Sequence, residues 1–215
     1  MSIDQILSSL ESGPMKAIGD TLNPDERKAV SSYLGRPVPK VASLPSPGVC
    51  AADTKPSKSF SSGASWTSWS PDVTNMRFQK AHAAGLTAAG VPRLKLKWAF
   101  SLGDETEART PPAVAGGRLF FGTAGDNVYS LDARSGCIHW SIKINGGVRS
   151  PVTIGKTGRG TQEAVYFGSG ANAYALDAAT GRLLWKVPVD DYFAAMITAA
   201  PLLHEGGAIC AGLVF

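Results

Sequence analysis

Three cysteines, three histidines and one adjacent pair of aspartates are the residues whose types could hold a metal or attack a substrate. Their spacing argues against both. No Cys-x-x-Cys pair occurs, which excludes zinc-ribbon and thioredoxin-like chemistry. Cys137-Ile-His139 has one residue between Cys and His and no upstream Cys, so it is not a haem-attachment motif. Cys50, Cys137 and Cys210 are each read as small buried hydrophobes. His82, His139 and His204 lack ligand spacing, and His139 beside Trp140 reads as a half-buried or exposed strand residue. Asp190 and Asp191 are neighbours, and neighbours on a strand point to opposite faces, so a solvated turn is expected there.

A second group carries a repeated signature. Arg109-Thr-Pro111, Arg149-Ser-Pro151 and Thr198-Ala-Ala-Pro201 each precede a strand pattern. They place an arginine or a hydroxyl where corresponding strands begin, facing a shared channel if the strands radiate from one. The competing reading has them cap strands and bond to carbonyls at the sheet edge.

The elements that position these residues follow from an internal period. Trp98, Trp140 and Trp185 recur at spacings of 42 and 45 residues, and each closes a similar phrase. The shared phrase is Val-Tyr-Ser-Leu-Asp-Ala-Arg-Ser-Gly-Cys-Ile-His-Trp140 in one copy and Ala-Tyr-Ala-Leu-Asp-Ala-Ala-Thr-Gly-Arg-Leu-Leu-Trp185 in the next. Period-2 alternation between Gly-rich turns predicts strands at Lys95–Phe100, Arg118–Gly122, Asn127–Asp132, Ile138–Ile144, Ala164–Gly168, Ala173–Asp177 and Leu183–Pro188. In Asp132-Ala-Arg-Ser-Gly136 and Asp177-Ala-Ala-Thr-Gly181 the Asp can bond the turn backbone and the Gly can take positive φ. Four short strands per 40–45 residues is the repeat of a β-propeller blade, and the tryptophans are expected to pack between blades. Residues 66–215 hold about two blades and the start of a third. A propeller closes with four to eight. The expectation is therefore a piece of a longer protein, with an exposed sheet face that makes the isolated chain prone to aggregate.

Upstream, residues 1–35 read as two short helices. Ser2 with Gln5 forms one capping box, and Asn23 caps the second helix, with Pro24 at its first position and Asp25 and Glu26 in its first turn. Ala29, Val30, Tyr33 and Leu34 form the apolar face of the second helix, and Gly35 ends it. Residues 36–65, rich in Pro, Ser, Gly and Ala, read as an extended linker. Hydrophobic residues are 44% and charged residues 18%, so most of the chain should be globular. A net charge of +4 with scattered basic residues argues against a nucleic-acid partner. No apolar run approaches the ~20 residues needed to span a bilayer, and Met1-Ser-Ile-Asp-Gln-Ile-Leu is not a secretory signal.

The tryptophan-closed phrase resembles the docking repeat of quinoprotein alcohol dehydrogenases, eight-bladed propellers that hold pyrroloquinoline quinone (PQQ) on the axis. Non-enzymatic propellers, including the outer-membrane assembly lipoprotein scaffold, use a similar phrase. Trp66-Thr-Ser-Trp69, Asn75-Met-Arg77-Phe78 and the run to Trp98 resemble the entry of polyvinyl alcohol dehydrogenase-like quinoproteins. Leu22–Leu34 is similar to the last helix of a class I cytochrome c. The resemblance implies an all-β propeller, about two blades of an expected eight, preceded by an α-helical cytochrome c-like tail. Its divisions are a cytochrome remnant at 1–35, a linker at 36–65 and a partial propeller at 66–215. It implies alcohol oxidation with electrons passed to cytochrome c in the periplasm, and PQQ, Ca²⁺ and haem c as cofactors. By the same resemblance Arg149 and Thr198 stand where the family binds PQQ. Arg109 and Thr110 occupy the equivalent position one blade earlier, and Met15 stands where the family places its haem ligand. The adjacent cysteines that the classical enzymes carry under the quinone are absent, Gly146-Gly147 lying in that neighbourhood. The alternative implied by the same repeat is a binding scaffold without a cofactor.

Overall fold

A computed structural model describes residues 2–35, 48–51, 59–60, 63–72, 74–102, 105, 107–158, 160–192, 194–205, 207–210 and 212–213. The chain divides into two compact units, Met1–Pro45 and Ser46–Phe215.

The first unit is helical: α1 (Ile3–Glu11), the single turn α2 (Lys16–Gly19) and α3 (Pro24–Leu34). Both predicted capping boxes form. Gln5 N donates to Ser2 Oγ and Ser2 N to Gln5 Oε1. Asp25 N and Glu26 N donate to Asn23 Oδ1, and Asn23 N returns a bond to Glu26 Oε2. The expected apolar face of α3 is not the packed one. Tyr33 is 88% exposed and Leu34 is exposed, whereas Ser31 is fully buried. Arg27 Nε, one turn before Ser31, donates to Gly19 O. A helix buries the face its neighbours hold, and here that contact outweighs the apolar stripe.

In the second unit the repeat becomes two four-stranded antiparallel sheets. The first runs in order β1 (Ala113–Ala115), β2 (Arg118–Gly122), β3 (Asn127–Asp132) and β4 (Ile138–Lys143). The second runs β5 (Thr153–Lys156), β6 (Glu163–Ser169), β7 (Asn172–Asp177) and β8 (Leu183–Pro188). Alternation along β6 shows how they stack. Val165 and Phe167 join one core with Phe120, Val128 and Trp140 of the first sheet. Ala164 and Tyr166, on the opposite face, pack with Trp185, Leu203 and Ala208. Those last two residues belong to a small third layer, β10 (Leu202–His204) paired with β11 (Gly207–Ile209), and β9 (Met196–Ile197) pairs with β12 (Gly212–Leu213).

Trp98 and Trp140 each dock onto the turn of the following repeat. The Trp98 indole Nε1 donates to Ala133 O at 3.3 Å, and Trp140 Nε1 donates to Ala178 O at 3.1 Å. The rings lie over Gly136 and Gly181, where a Cβ would stand 2.7 Å from the indole. Those glycines have φ of +77° and +75°, so both the conformation and the ring exclude a side chain. The aspartates build the turns: Asp132 Oδ1 accepts from Arg134 N and from Ser135 N and Oγ, and Asp177 Oδ1 from Ala179 N and from Thr180 N and Oγ1.

Two sequence expectations are corrected. Lys95–Phe100 forms no strand. It carries Trp98 against the first sheet, but it has no ladder partner among the described residues, and Leu96 is 85% exposed. Cys50 and Cys137 are not two buried thiols but a disulfide, with Cα atoms 5.1 Å apart. The physical reason is a pairing that local pattern does not reveal. Cys50 N donates to Ile138 O and Ile138 N to Gly48 O, which lays Gly48–Cys50 parallel to the outer edge of β4. The bond spans 87 residues, and closing a loop of that size lowers unfolded-chain entropy by the equivalent of about 4–5 kcal/mol. Cys210 is a free thiol on a half-buried residue, less enclosed than the buried position expected of it. Residues 36–47, 52–58 and 61–62 of the span read as a linker lie outside the described residues.

Replacing Gly181 with Ala should destabilise the sheet unit by about 2–4 kcal/mol, since strain at positive φ and the collision with Trp140 add. Urea denaturation followed by tryptophan fluorescence measures it, and a loss below about 1 kcal/mol would show that the docking is slack.

Candidate functional site

The first strands of the two sheets, β1 and β5, are bridged by one segment. Trp66 exchanges both main-chain bonds with Val114 of β1, at 2.7 Å each. Thr67 O then accepts from Ile154 N of β5. Ser68 Oγ donates to Thr153 Oγ1, which itself donates to Pro201 O ahead of β10. Residues 66–68 thus connect the first strands of the two sheets, and Thr153 carries the bonds on to Pro201 ahead of β10.

Beside this segment lies an open cavity of about 590 Å³. Its walls include Trp69, Asp72 and Asn75 on one side and Thr198, Ala199 and Pro201 on the other. The Arg77 guanidinium lies 4.3 Å from the Trp69 ring centre, and Arg77 N donates to Ser70 Oγ. Asn75 and Arg77 hold φ of +55° and +53°, uncommon for residues with side chains. Hydrogen bonds from the Thr74 hydroxyl and amide lower the Asp72 carboxyl below its ordinary range. Reading the sequence for charge and spacing missed this loop as a site wall. The sequence singles out this stretch only through Trp66-Thr-Ser-Trp69 and Asn75-Met-Arg77-Phe78, as a propeller entry, and Asn75 is a residue type that tolerates left-handed backbone.

The residues singled out by the repeat separate. Thr198 is half-buried and lines the cavity, with no hydrogen-bond partner among the described residues. Arg149 is exposed, and among the described residues no carboxylate lies within ion-pair distance of it. Neither Arg149, Arg109 nor Thr110 lines the cavity. Arg109 pairs with Glu107 at 2.5 Å. Thr110 is buried, and its hydroxyl donates to Gly122 O and accepts from Gly122 N. Ser150 makes the same two bonds to Gly168 one repeat later. These hydroxyls clip the approach to the first strand onto the second strand of each sheet, so the strand-capping reading holds for Thr110.

Met15 is 44% exposed at the start of α2. Among the described residues no three His, Cys, Asp or Glu cluster as a metal site would require. Asp190 and Asp191 are exposed, with Asp190 Oδ1 accepting from Tyr192 N in a turn.

A polar group of a different kind sits on the turn side. Arg118 of β2 donates through Nη1 to Ala179 O in the second sheet's turn. Burial lowers its pKa from the usual value, against the pull of Asp132 and Asp177. His139 Nε2 lies 3.9 Å from Asp132 Oδ2, yet its pKa is lowered, because burial and then Arg118 outweigh the carboxylate. We therefore read this contact as one between a neutral imidazole and an ion. For Asp132 and Asp177 burial raises the carboxyl, and the turn hydrogen bonds more than reverse it, so both titrate below their ordinary range.

The comparisons with known proteins follow this geometry. The family model described as outer membrane protein assembly factor BamB, of the PQQ repeat type, matches residues 93–204. That span is more than half of the chain and holds the three repeat tryptophans, Trp98, Trp140 and Trp185, and both aspartate turns. The chain belongs to this family. It is 34% identical over 211 residues to a polyvinylalcohol dehydrogenase of Pseudomonas sp., covering 90% of this chain and 32% of that one. A polyvinylalcohol dehydrogenase of Sphingopyxis sp. strain 113P3 is 30% identical over 164 residues, covering 68% and 24%. The chain thus spans a third or less of the length of these curated relatives. Among solved structures, the quinohemoprotein alcohol dehydrogenase of Pseudomonas putida HK5 superposes with a TM-score of 0.59 at 23% identity, covering 77% of this chain and 25% of that one. That of Comamonas testosteroni gives 0.55 at 23%, covering 69% and 23%. The antiparallel sheets therefore share the quinoprotein dehydrogenase propeller fold. No helix among the described residues is long and apolar enough to cross a membrane.

Two outcomes are expected. Thr110→Val removes both clip bonds and leaves the Gly122 amide and carbonyl buried without partners, which should cost about 2–4 kcal/mol in a denaturant titration. His139 has a depressed folded pKa, so its contribution is complete above the unfolded value of about 6.5 and is lost as pH falls below it. Asp132 and Asp177 likewise contribute above about pH 4 and lose that contribution below it. Melting temperatures should hold between about pH 8 and 7, fall from about 6.5 and fall again below about 4. His139→Gln should remove only the first decline, and an unchanged profile would refute the assignment.

Proposed function

We propose that this chain supplies propeller blades of a PQQ-dependent alcohol dehydrogenase of the polyvinyl alcohol dehydrogenase type. In this reading it acts in the periplasm and passes electrons to cytochrome c. The single observation that carries the reading is the 34% identity over 90% of the chain to a polyvinylalcohol dehydrogenase. The solved neighbours support the fold on which it depends. The disulfide supports an oxidising compartment. In the same proposal residues 1–35 are the cytochrome c-like tail, 36–65 the connection and 66–215 the propeller portion.

The donor set fits PQQ in part. When bound, the quinone accepts the two electrons of alcohol oxidation. Arg149 offers a cation with no competing carboxylate among the described residues, suited to a bidentate grip on a carboxylate of the cofactor. Thr198 offers a hydroxyl at a cavity wall. Arg109 is neutralised by Glu107, and the Thr110 hydroxyl is fully engaged with Gly122. We therefore assign PQQ contacts to Arg149 and Thr198 and a structural role to Thr110. The described residues do not fit a calcium or haem site. Met15 has no histidine or cysteine cluster beside it, so Ca²⁺ and haem c would need ligands from elsewhere.

A second reading, a non-enzymatic scaffold, is favoured by the description of the matching family model and by the structural use of Thr110. Binding distinguishes the two. Titrating PQQ against the protein, with tryptophan quenching as the readout, should show saturable binding. Arg149→Ala and Thr198→Val should weaken it about tenfold or more, and Thr110→Val should leave it unchanged. Absence of saturable binding in the longer protein that contains these residues, together with no alcohol-dependent cytochrome reduction, would favour the scaffold.

A further inference from the structure

Arg149 is carried by a loop that both sheets hold. The loop runs from Ile144, just after β4, to Ser150, ahead of β5. Ile144 N donates to Asp126 O, in the turn between β2 and β3. Asn145 O accepts from Ser169 Oγ of β6. Gly146 N and Gly147 N both donate to Asp126 Oδ1, at 3.2 and 2.6 Å. Val148 is fully buried, its N donates to Thr123 O, and it bridges to Ser169. Ser150 Oγ is clipped to Gly168. Between the buried Val148 and Ser150, Arg149 is exposed.

One carboxylate holds the apex of this loop. Gly146 and Gly147 are both at positive φ, which turns two successive N–H groups toward a single acceptor. That acceptor is Asp126 Oδ1, on a half-buried residue with φ of +76°. A bond from a main-chain N–H to a carboxylate is roughly twice as strong as one to a neutral oxygen. The second sheet shows what the repeat itself requires there. Ala171 O accepts from Val189 N as Asp126 O accepts from Ile144 N, but Ala171 has no carboxylate. The main-chain bond recurs and the side-chain clamp does not. The clamp therefore serves the loop before Arg149 rather than the period of the fold.

We propose that Asp126 is the positioning residue for Arg149: its carboxylate pins the Gly146–Gly147 apex and so aims the guanidinium at a carboxylate of the cofactor. The inference rests on the assignment of Arg149 to PQQ made above. Asp126 has no attraction of its own to offer an anionic ligand. Removing its charge alone would ease repulsion and tighten binding. Removing its hold on the loop has the opposite sign, so the two effects are separable.

The test uses the full chain, with PQQ as the probe. Asp126→Gly removes the acceptor and suits positive φ, whereas Asp126→Asn keeps an acceptor oxygen and drops the charge. Asp126→Gly should weaken PQQ binding about tenfold. Asp126→Asn should bind within about threefold of the unaltered protein, or more tightly. Adding Asp126→Gly to Arg149→Ala should weaken binding no further, because the carboxylate acts through the guanidinium. Amide exchange followed by NMR reads the clamp without the cofactor. Gly146 is exposed, so Asp126 is what protects its amide. Exchange at Gly146 and Gly147 should speed about tenfold or more in Asp126→Gly and stay slow in Asp126→Asn.

If Arg149→Ala weakens binding and Asp126→Gly does not, the positioning role is overturned and the PQQ reading stands. Additive losses in the double variant overturn it as well, since a general loosening of the fold would add. If Arg149→Ala changes nothing, the assignment of Arg149 to PQQ falls and this inference falls with it. Should Asp126→Gly not fold, exchange in the unaltered protein decides: fast exchange at Gly146 and Gly147 overturns the clamp, and slow exchange there and in Asp126→Asn supports it.

Discussion

The organisation of the sheet unit depends on an indole lying flat on a glycine of the next repeat. A tryptophan buries a large area in one step and carries a single N–H that must find an acceptor. Here the acceptor is a carbonyl of the following turn, Ala133 for Trp98 and Ala178 for Trp140. The glycine four residues into that turn permits contact with the ring, and the aspartate at its head shapes the carbonyl's loop. Spacing between layers, orientation of the strands and placement of the inner edge all follow from this one contact.

That contact was legible because it is periodic. The bounds of β2, β3 and β8 coincide with the alternation pattern, and β6 and β7 differ by one residue at one or both ends. What could not be read was non-local. Cys50 lies in a stretch without periodicity, and its neighbour Ile138 is brought to it by an edge pairing. Arg118 opens a strand, and nothing in the local pattern shows that its head crosses the seam between the sheets to Ala179. Lys95–Phe100 has the strand pattern without strands to join, since pattern specifies a face and pairing needs a partner. The tail's apolar stripe failed for a related reason, because burial depends on which neighbour arrives.

The site residues divide along the same line. The repeat identified the Thr110 and Ser150 positions, and the structure shows why a hydroxyl recurs there: it satisfies both main-chain groups of a glycine in the adjoining strand. Recurrence in that case marks a structural need. Arg149 and Thr198 depart from that use, one exposed and without a carboxylate partner among the described residues, the other at a cavity wall. The Trp69–Arg77 loop, with a stacked guanidinium and two residues at positive φ, contributes a wall that composition and spacing did not reveal.

The bond between Phe60 and Glu163 has a consequence for how the molecule is made. Phe60 must wait for Glu163, 103 residues later in the chain. At about 5–20 residues per second of synthesis, that partner emerges roughly 5–20 s afterwards. Throughout that interval the face of the first sheet that packs on Val165 and Phe167 is open to solvent. Birth on the ribosome therefore leaves that apolar face uncovered for seconds, the interval in which a holding chaperone can shield it.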